Sequence, residues 1–478
     1  MRVIMGNPPY SIGQKSANDN AQNQKYKNLE ARIETTYVKE SNASALKSLY
    51  DSYIKAFRWS ADRLDPNVGG IICFVSNGGW LGSNSSDGFR KVLHKEFSSI
   101  YVYDLRGNQR TNGELSRKEG GKIFGSGSRT PVAITLLVKK PNSAGALAKI
   151  FYKDIGDYLK QDEKLSIIKA TKTILNPNMG LAPINPNVEG DWINVRNGAF
   201  EQFIPIEPVD RSKIDGNSFF NAYSLGVGSN RDAFVYNSSL LQLRKSINNI
   251  ITFYNLTRET FSLESKTNST IKIESLLVYD PTKLNWTDSV IGDVKRNFTY
   301  LYDVECERVS SYRPFFKQNL YFSKYLNHRR FQIPRLFPEY DSANLVICLA
   351  APGGSKDLSV LIQNSIPDLH YIGDTQCFPL YYYEEVINQS LGLFDKDAPN
   401  QYVRRDAISN WIWAKAKEQY GERVTKEDIF YYVYGFLHSP EYRATFAADF
   451  KKMLPRIPLV KNPKDFWAFS KADRKSVV

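Results

Sequence analysis

Three apolar runs, at residues 3–5, 71–75 and 100–105, alternate with two segments of helical periodicity, and this alternation constrains the fold more than any other feature. Between the first two runs, Leu46, Leu49, Tyr50, Tyr53, Ile54 and Phe57 recur at helical spacing over residues 45–64, and Pro66 with Gly69-Gly70 supplies the stop. A second helix is expected over residues 86–97, and residues 131–138 add one more apolar strand after a loop rich in Gly, Arg and Lys. Alternating strand and helix predict a parallel sheet with helices packed on it. Residues 13–43, rich in Asn, Gln, Lys and Ser, are read as a long polar loop.

From about residue 191 the texture changes to aromatic and basic segments of irregular spacing, broken by Pro and Gly. The chain therefore reads as two domains, residues 1–190 and 191–478, the second of mixed α and β structure and ending in helices. Those closing helices are expected at residues 408–420, 426–437 after the capping pattern Thr425 to Asp428, and 441–454 before Pro455.

With 478 residues, 42% of them hydrophobic, the chain can bury one large or two ordinary cores. Lys and Arg number 63 against 50 Asp and Glu, a net charge of +13, so an anionic partner is expected and nucleic acid is the first candidate. Cys73, Cys306, Cys348 and Cys377 form no close pair, and His94, His328, His370 and His438 are scattered, which argues against a disulfide framework and against a metal site. The longest apolar stretches, residues 71–75 and 345–351, fall far short of the roughly 20 residues a membrane helix needs. With no leader at the start, a soluble, cytoplasmic, prokaryotic protein without a membrane partner is expected.

The sharpest local signal is Asn7-Pro8-Pro9-Tyr10, where a short apolar strand runs into a turn that two prolines force out of the sheet. The motif resembles the signature of methyltransferases that act on the exocyclic N6 of adenine in DNA. An amine conjugated to a purine is a poor nucleophile, so acceptors must hold its hydrogens and favour a lone-pair-bearing nitrogen. The resemblance assigns those acceptors to the Asn7 side-chain carbonyl and the Pro8 backbone carbonyl, with orientation dominating the chemistry. The target adenine must be flipped out of the duplex. Tyr10 would offer its ring face to it, and Phe124, in the loop before residues 131–138, is the candidate for the opposing wall, against the plainer reading that it is an apolar plug.

The implied fold is α/β, a partial doubly wound Rossmann-like methyltransferase sheet. In that family the glycine loop for S-adenosylmethionine precedes the Asn-Pro-Pro-Tyr segment, and only six residues precede Asn7 here. The cofactor-binding half is therefore expected to be missing, and its cofactor-binding residues are unknown. Gly120-Gly121 and Gly125-Ser126-Gly127 precede a strand without opening a helix, the wrong context for a cofactor loop.

A second resemblance covers nearly the whole chain. Gly226-Val227-Gly228-Ser229-Asn230-Arg231-Asp232, Tyr312-Arg313-Pro314-Phe315, Leu437-His438-Ser439-Pro440-Glu441-Tyr442-Arg443 and Leu454-Pro455-Arg456-Ile457-Pro458 resemble the methyltransferase and target-recognition end of the single-polypeptide Type ISP restriction-modification enzymes. Such enzymes carry a nuclease and an ATP-driven helicase or translocase upstream; this sequence has no phosphate-binding loop for ATP. The resemblance implies an N-terminally truncated chain, inactive alone, whose Met1 is an internal methionine and whose last six residues, 473–478, depart from the family.

Between residues 295 and 337, cations interleave with aromatics, a pattern that suits DNA, where cations meet phosphates and Arg or Asn reach base edges. Asn230 and Arg231 are the candidates for base or backbone contact, Arg313 and Lys317 for phosphate, and Lys295, Arg296, Arg329 and Arg330 complete the expected DNA-binding set; a solvated basic face over an aromatic core is the competing reading. Double-stranded DNA is the expected partner and S-adenosylmethionine the cofactor of the complete enzyme. Two alternatives stay open: a DNA-binding specificity module without catalysis, and a methyltransferase acting on RNA or protein glutamine, which the basic second domain disfavours.

Overall fold

The computed structural model describes residues 2–10, 25–43, 46–111, 113–124, 129–141, 145–208, 216–280, 282–353, 357–386, 401–472 and 474. Residues 13–24 of the polar segment, Gly125-Ser126-Gly127, and all but one of the last six residues lie outside these. The chain divides into two compact units, Met1–Asn197 and Gly198–Val478.

The first unit is built on six strands: β1 Arg2–Gly6, β2 Gly70–Asn77, β3 Ser99–Asp104, β4 Val132–Lys139, β5 Lys149–Asp154 and β6 Ala182–Ile184. Its helices are α1 Lys27–Ile33, α2 Ser52–Ala61, α3 Asp87–Glu96, α4 Gly113–Glu119 and α5 Gln161–Thr171. The strands lie in the order β1-β2-β4-β3-β5-β6. β1 pairs parallel with β2, and β3 with β5, but β4 runs antiparallel to both its neighbours and β6 antiparallel to β5. The sheet is thus mixed, not parallel as the strand-helix alternation predicts. The cause is the connection between β3 and β4. Leu105 donates to the Val132 carbonyl at 2.9 Å and Val132 to that of Arg106 at 3.0 Å, so the chain re-enters the sheet beside the point where it left. α4, within this connection, buries no residue and lays no crossover on the sheet.

Strand β2 alternates strictly: Ile72 and Phe74 are buried, whereas Ile71, Cys73 and Val75 are half-buried on the other face. The buried face packs against Tyr53, Ile54 and Phe57 of α2 and Phe89, Val92 and Leu93 of α3. Phe89 meets Tyr37, Phe57 and Trp80 with ring centroids 4.9–5.4 Å apart. Tyr37 belongs to a helical stretch, α1 and the wider turn Glu34–Val38 that continues it, where the polar composition of residues 13–43 predicts a loop. Burial of Ile33 and Tyr37 against the core supplies what local propensity lacks. The helix expected over residues 45–64 is interrupted at Asp51, whose extended backbone separates a short turn, Lys47–Tyr50, from α2.

In the second unit, one core gathers around the helix Leu240–Thr267, capped by the Ser239 hydroxyl and burying Leu243, Ile247, Ile250, Ile251 and Tyr254 along one stripe. It packs with a four-stranded sheet in which Glu307–Arg313 lies between Ile366–Pro367 and Phe316–Tyr321, the latter followed by Tyr236–Asn237. A second four-stranded sheet orders Val360–Gln363, Val346–Leu349, Gln376–Pro379 and Ser224–Leu225. The other core is formed by the closing helices Asn410–Tyr420, Lys426–Leu437 and Pro463–Ala472, with Thr425 and Asp428 making a reciprocal capping box. The expected helix over 441–454 is two short ones, Pro440–Thr445 and Ala447–Phe450, broken at Phe446. Among the described residues no helix is long and apolar enough to cross a membrane, and no group of side chains could hold a metal.

Candidate functional site

Strand β1 ends where the two prolines begin, because proline cannot donate to the ladder. Met5 pairs with Cys73 and Gly6 with Phe74, so Asn7 emerges at the carboxyl end of β1. Next to it β2 closes in the turn Gly78–Leu81, held by the Asn77 side chain accepting from the Gly79 N–H at 2.8 Å. Pro8 is buried, whereas Asn7 and Pro9 are exposed. The Asn7 amide makes no hydrogen bond among the described residues, which leaves its carbonyl open to a ligand. Tyr10 is half-buried and stands edge-on to Tyr53, centroids 6.1 Å apart. Its hydroxyl is enclosed, and burial, with the nearby Asp51 charge, pushes its pKa up to about 12.

Phe124 is half-buried in a separate apolar cluster with Tyr103, Leu105, Val132, Ile155 and Met179, whereas Tyr10 joins the cluster beneath α2 and α3. Among the described residues no ring contact joins Phe124 to Tyr10. The loop that carries Phe124 is braced by a residue the sequence reading misses. Lys164 of α5, fully buried, donates through Nζ to the carbonyls of Leu105 at 2.9 Å, Glu119 at 2.8 Å and Gly121 at 2.9 Å. Burial lowers its pKa.

Gly120 and Gly121 pack directly on the backbone around Leu159. A Cβ on Gly120 would stand 2.2 Å from the Leu159 carbonyl oxygen, and one on Gly121 2.5 Å from the Gln161 nitrogen. Backbone fills the space beside both, so these two glycines serve close packing.

In the second unit, residues 226–231 form a connector that turns at Asn230 into the short helix Asp232–Val235. Val227 donates to the Pro367 carbonyl and accepts from Leu369, both at 2.9 Å, while Gly228 and Arg329 exchange backbone bonds at 2.9 and 2.8 Å. A Cβ on Gly226 would lie 2.4 Å from the Asp368 carbonyl oxygen, which explains glycine there. Asn230 has φ of +53° and is exposed.

Arg231, expected to contact a base or the DNA backbone, turns inward instead. Only 2% exposed, its guanidinium donates to the Asn285 carbonyl at 2.9 and 3.1 Å, to the Thr287 hydroxyl at 2.9 Å and to the Leu326 carbonyl at 3.3 Å. A fork that already spans three internal acceptors is not free for a base edge.

The remaining cations differ in their engagement. Arg313 is half-buried; its Nη1 donates to Asp368 at 2.8 Å and its Nη2 lies 3.7 Å from Asp232. Lys317 donates to the exposed Asn364 at 3.0 Å, Lys295 pairs with Glu274 at 3.3 Å, and Arg296 pairs with Asp293. Arg330 lies 5.0 Å from the Phe322 ring centroid. Arg329 is exposed, with its side chain unpaired among the described residues. Geometry therefore brings Asn230, Arg313 and Arg329 together around one connector.

Asp368 is the organising group that the sequence reading misses. It accepts from the Tyr236 hydroxyl at 3.0 Å and from the His370 backbone at 2.8 Å as well as from Arg313. Burial raises its pKa against the pull of these partners.

Residues 218–476 match the family described as the Type ISP C-terminal specificity domain. The chain is 37% identical, with a TM-score of 0.79, to a nuclease-deletion mutant of the Type ISP restriction-modification enzyme LlaGI in complex with a DNA substrate mimic. It is 32% identical, TM-score 0.80, to the ATP-dependent Type ISP enzyme LlaBIII bound to DNA, and 30% identical, TM-score 0.79, to DrdV in a DNA complex. Each alignment covers 99% of this chain but only 34%, 29% and 44% of the respective relative. Comparison with curated protein sequences gives no match. By the domain that occupies more than half of its length, the chain belongs to the Type ISP restriction-modification family.

Proposed function

We propose that this chain recognises a DNA sequence and presents an adenine for N6 methylation within a Type ISP restriction-modification polypeptide. The observation that carries the recognition part is the match of residues 218–476 to the specificity domain, together with relatives of at least 30% identity described on DNA. The net charge of +13 supplies the sequence-independent attraction to phosphate. Residues 191–478 serve as the target-recognition domain and residues 1–190 as part of the adenine methyltransferase domain.

Support for the methyltransferase part comes from the open Asn7 amide at the carboxyl end of β1 and the ring of Tyr10 three residues on. Asn7 and the Pro8 carbonyl hold the two hydrogens of the exocyclic amine, and Tyr10 stacks on the flipped base. S-adenosylmethionine is the methyl donor of the complete polypeptide, held by residues other than those described here. Asn230, Arg313, Lys317 and Arg329 contact DNA, with Lys295, Arg296 and Arg330 contributing to phosphate attraction. A second reading, recognition without catalysis, is favoured by one observation: Phe124 and Tyr10 belong to separate clusters.

Selection from a random-sequence duplex pool tests recognition: one enriched sequence is expected, and a flat pool overturns the proposal. Calorimetric binding of S-adenosylmethionine, measured on this chain and on one extended upstream, tests the methyltransferase part. Binding only by the extended chain is expected, whereas no binding by either overturns it and leaves recognition alone.

A further inference from the structure

The strands Glu307–Arg313 and Phe316–Tyr321 form a hairpin whose closing pair is Arg313 with Phe316, leaving Pro314-Phe315 as the two-residue tip. Phe315 has φ of +60°. Proline followed by a left-handed residue is the pattern of a type II turn, in which that third position ordinarily takes glycine or asparagine. An aromatic residue there is strained and gains nothing from the fold, because its side chain joins neither core and makes no ring contact among the described residues. Phe315 is 93% exposed, more than any other large hydrophobic residue among the exposed set, and its neighbour Phe316 is 47% exposed. A solvent-facing ring in a conformation that favours glycine calls for a partner outside the molecule.

The surroundings indicate which partner. Lys317 and Arg313 flank the tip, and the Lys317 ammonium reaches the exposed Asn364. Through Asp368 and Asp232, Arg313 ties the hairpin to the 366–370 turn and to the connector that carries Asn230. A bulge at Tyr312, where the register shifts between Ser311 and Arg313, twists the hairpin next to its tip. Tyr312 also donates to Asp232 at 3.1 Å and packs on Tyr236 at 4.6 Å, so the base of the hairpin is rigid while its tip is bare.

We propose that Phe315 is an aromatic wedge that stacks on the bases of duplex DNA at the recognised site, with Pro314 behind it and Arg313 and Lys317 on the backbone. The assignment rests on the DNA-recognition reading above and deepens it, because it names a contact made through base faces in addition to base edges. A ring presented on a rigid hairpin costs little ordering on binding. Inserting it partly unstacks one base step, and the gain is the burial of an otherwise wet aromatic surface.

The test uses the full chain and the duplex it enriches from a random-sequence pool. Phe315→Ala is expected to bind that duplex about tenfold more weakly or worse, and Phe315→Trp to bind like the wild type. 2-Aminopurine placed along the duplex should brighten at one step with the wild type and stay dark with Phe315→Ala. Phe315→Gly removes the ring while suiting the backbone, so it should fold at least as stably as the wild type and still lose the affinity. Equal binding by the wild type and Phe315→Gly, or by the wild type and Phe315→Leu, overturns the wedge while leaving DNA recognition intact. A wild-type chain that enriches no duplex overturns the underlying reading instead, and the wedge with it.

Discussion

The Arg313 guanidinium donates to the buried carboxylate of Asp368 at 2.8 Å, and with its approach to Asp232 this bond ties the hairpin tip to the 366–370 turn and the connector. Asp368 keeps the Tyr236 hydroxyl and the His370 N–H when Arg313 is removed, so the pair is reinforced but not solitary. Arg313→Ala is expected to lower stability by about 2 kcal/mol, read as a shift in the urea midpoint. It should also weaken DNA binding across all sequences. A variant that loses DNA affinity with an unchanged urea midpoint would mean that the cation serves phosphate alone.

Lys164 makes a stronger demand on its surroundings, because it is fully buried and satisfies three carbonyls. Lys164→Met keeps most of the side chain's length but leaves those oxygens unpaired, at a cost of about 3 kcal/mol. Hydrogen exchange should quicken first in the segment around residues 105–121, and uniform exchange there would falsify this bracing role.

Asp104 gives the first unit a pH dependence. Burial raises its pKa to about 6, against the lowering effects of the Arg106 N–H and the Tyr152 hydroxyl, with Asp154 and Glu119 adding repulsion. An acid whose folded pKa lies above its unfolded value of about 3.9 binds more protons when folded, so its contribution to stability falls as pH rises between those two values. Asp104→Asn should flatten that part of the stability profile and stabilise the protein at pH above 7. Thermal melts across the range check both statements.

Asn7→Ala should abolish N6-methyladenine formation by the complete polypeptide while leaving DNA binding within about twofold, because the side chain is exposed and braces nothing. Mass spectrometry of the digested DNA reads the product. Methylation that survives the substitution removes Asn7 from the chemistry.

Alternation of apolar runs makes β1 to β4 of the first unit legible, since each run is short, β-rich and bounded by turn residues, whereas β5 and β6 carry no such run and go unread. Direction is not legible for β4: a two-residue period reads identically from either end, and only the Leu105 and Val132 backbone bonds reveal the reversal. The helical stretch from Lys27 to Val38 escapes notice because few of its side chains, Ile33 and Tyr37 among them, are committed to the core. Likewise the stripe Leu243, Ile247, Ile250, Ile251 and Tyr254 has clear helical spacing, but the long helix it marks was hidden by the polar residues between.

Site residues divide along the same line. The turn after β1 is readable because two adjacent prolines cannot stay in a ladder. The fate of Arg231 is not, since a cation following a glycine-rich stretch points inward or outward according to acceptors such as Asn285 and Leu326, remote in sequence. Asp368 is equally silent, as nothing local marks an acid that tertiary structure will bury.

The contact of Gly226 with the Asp368 carbonyl bears on how specificity in such a protein can be altered. A connector that grazes another segment this closely cannot be exchanged as an independent cassette. Transplanting residues 226–232 from a relative would need the matching 366–370 turn and hairpin arginine to travel with it, so new recognition sequences should arise by exchange of this whole block more readily than by single replacements.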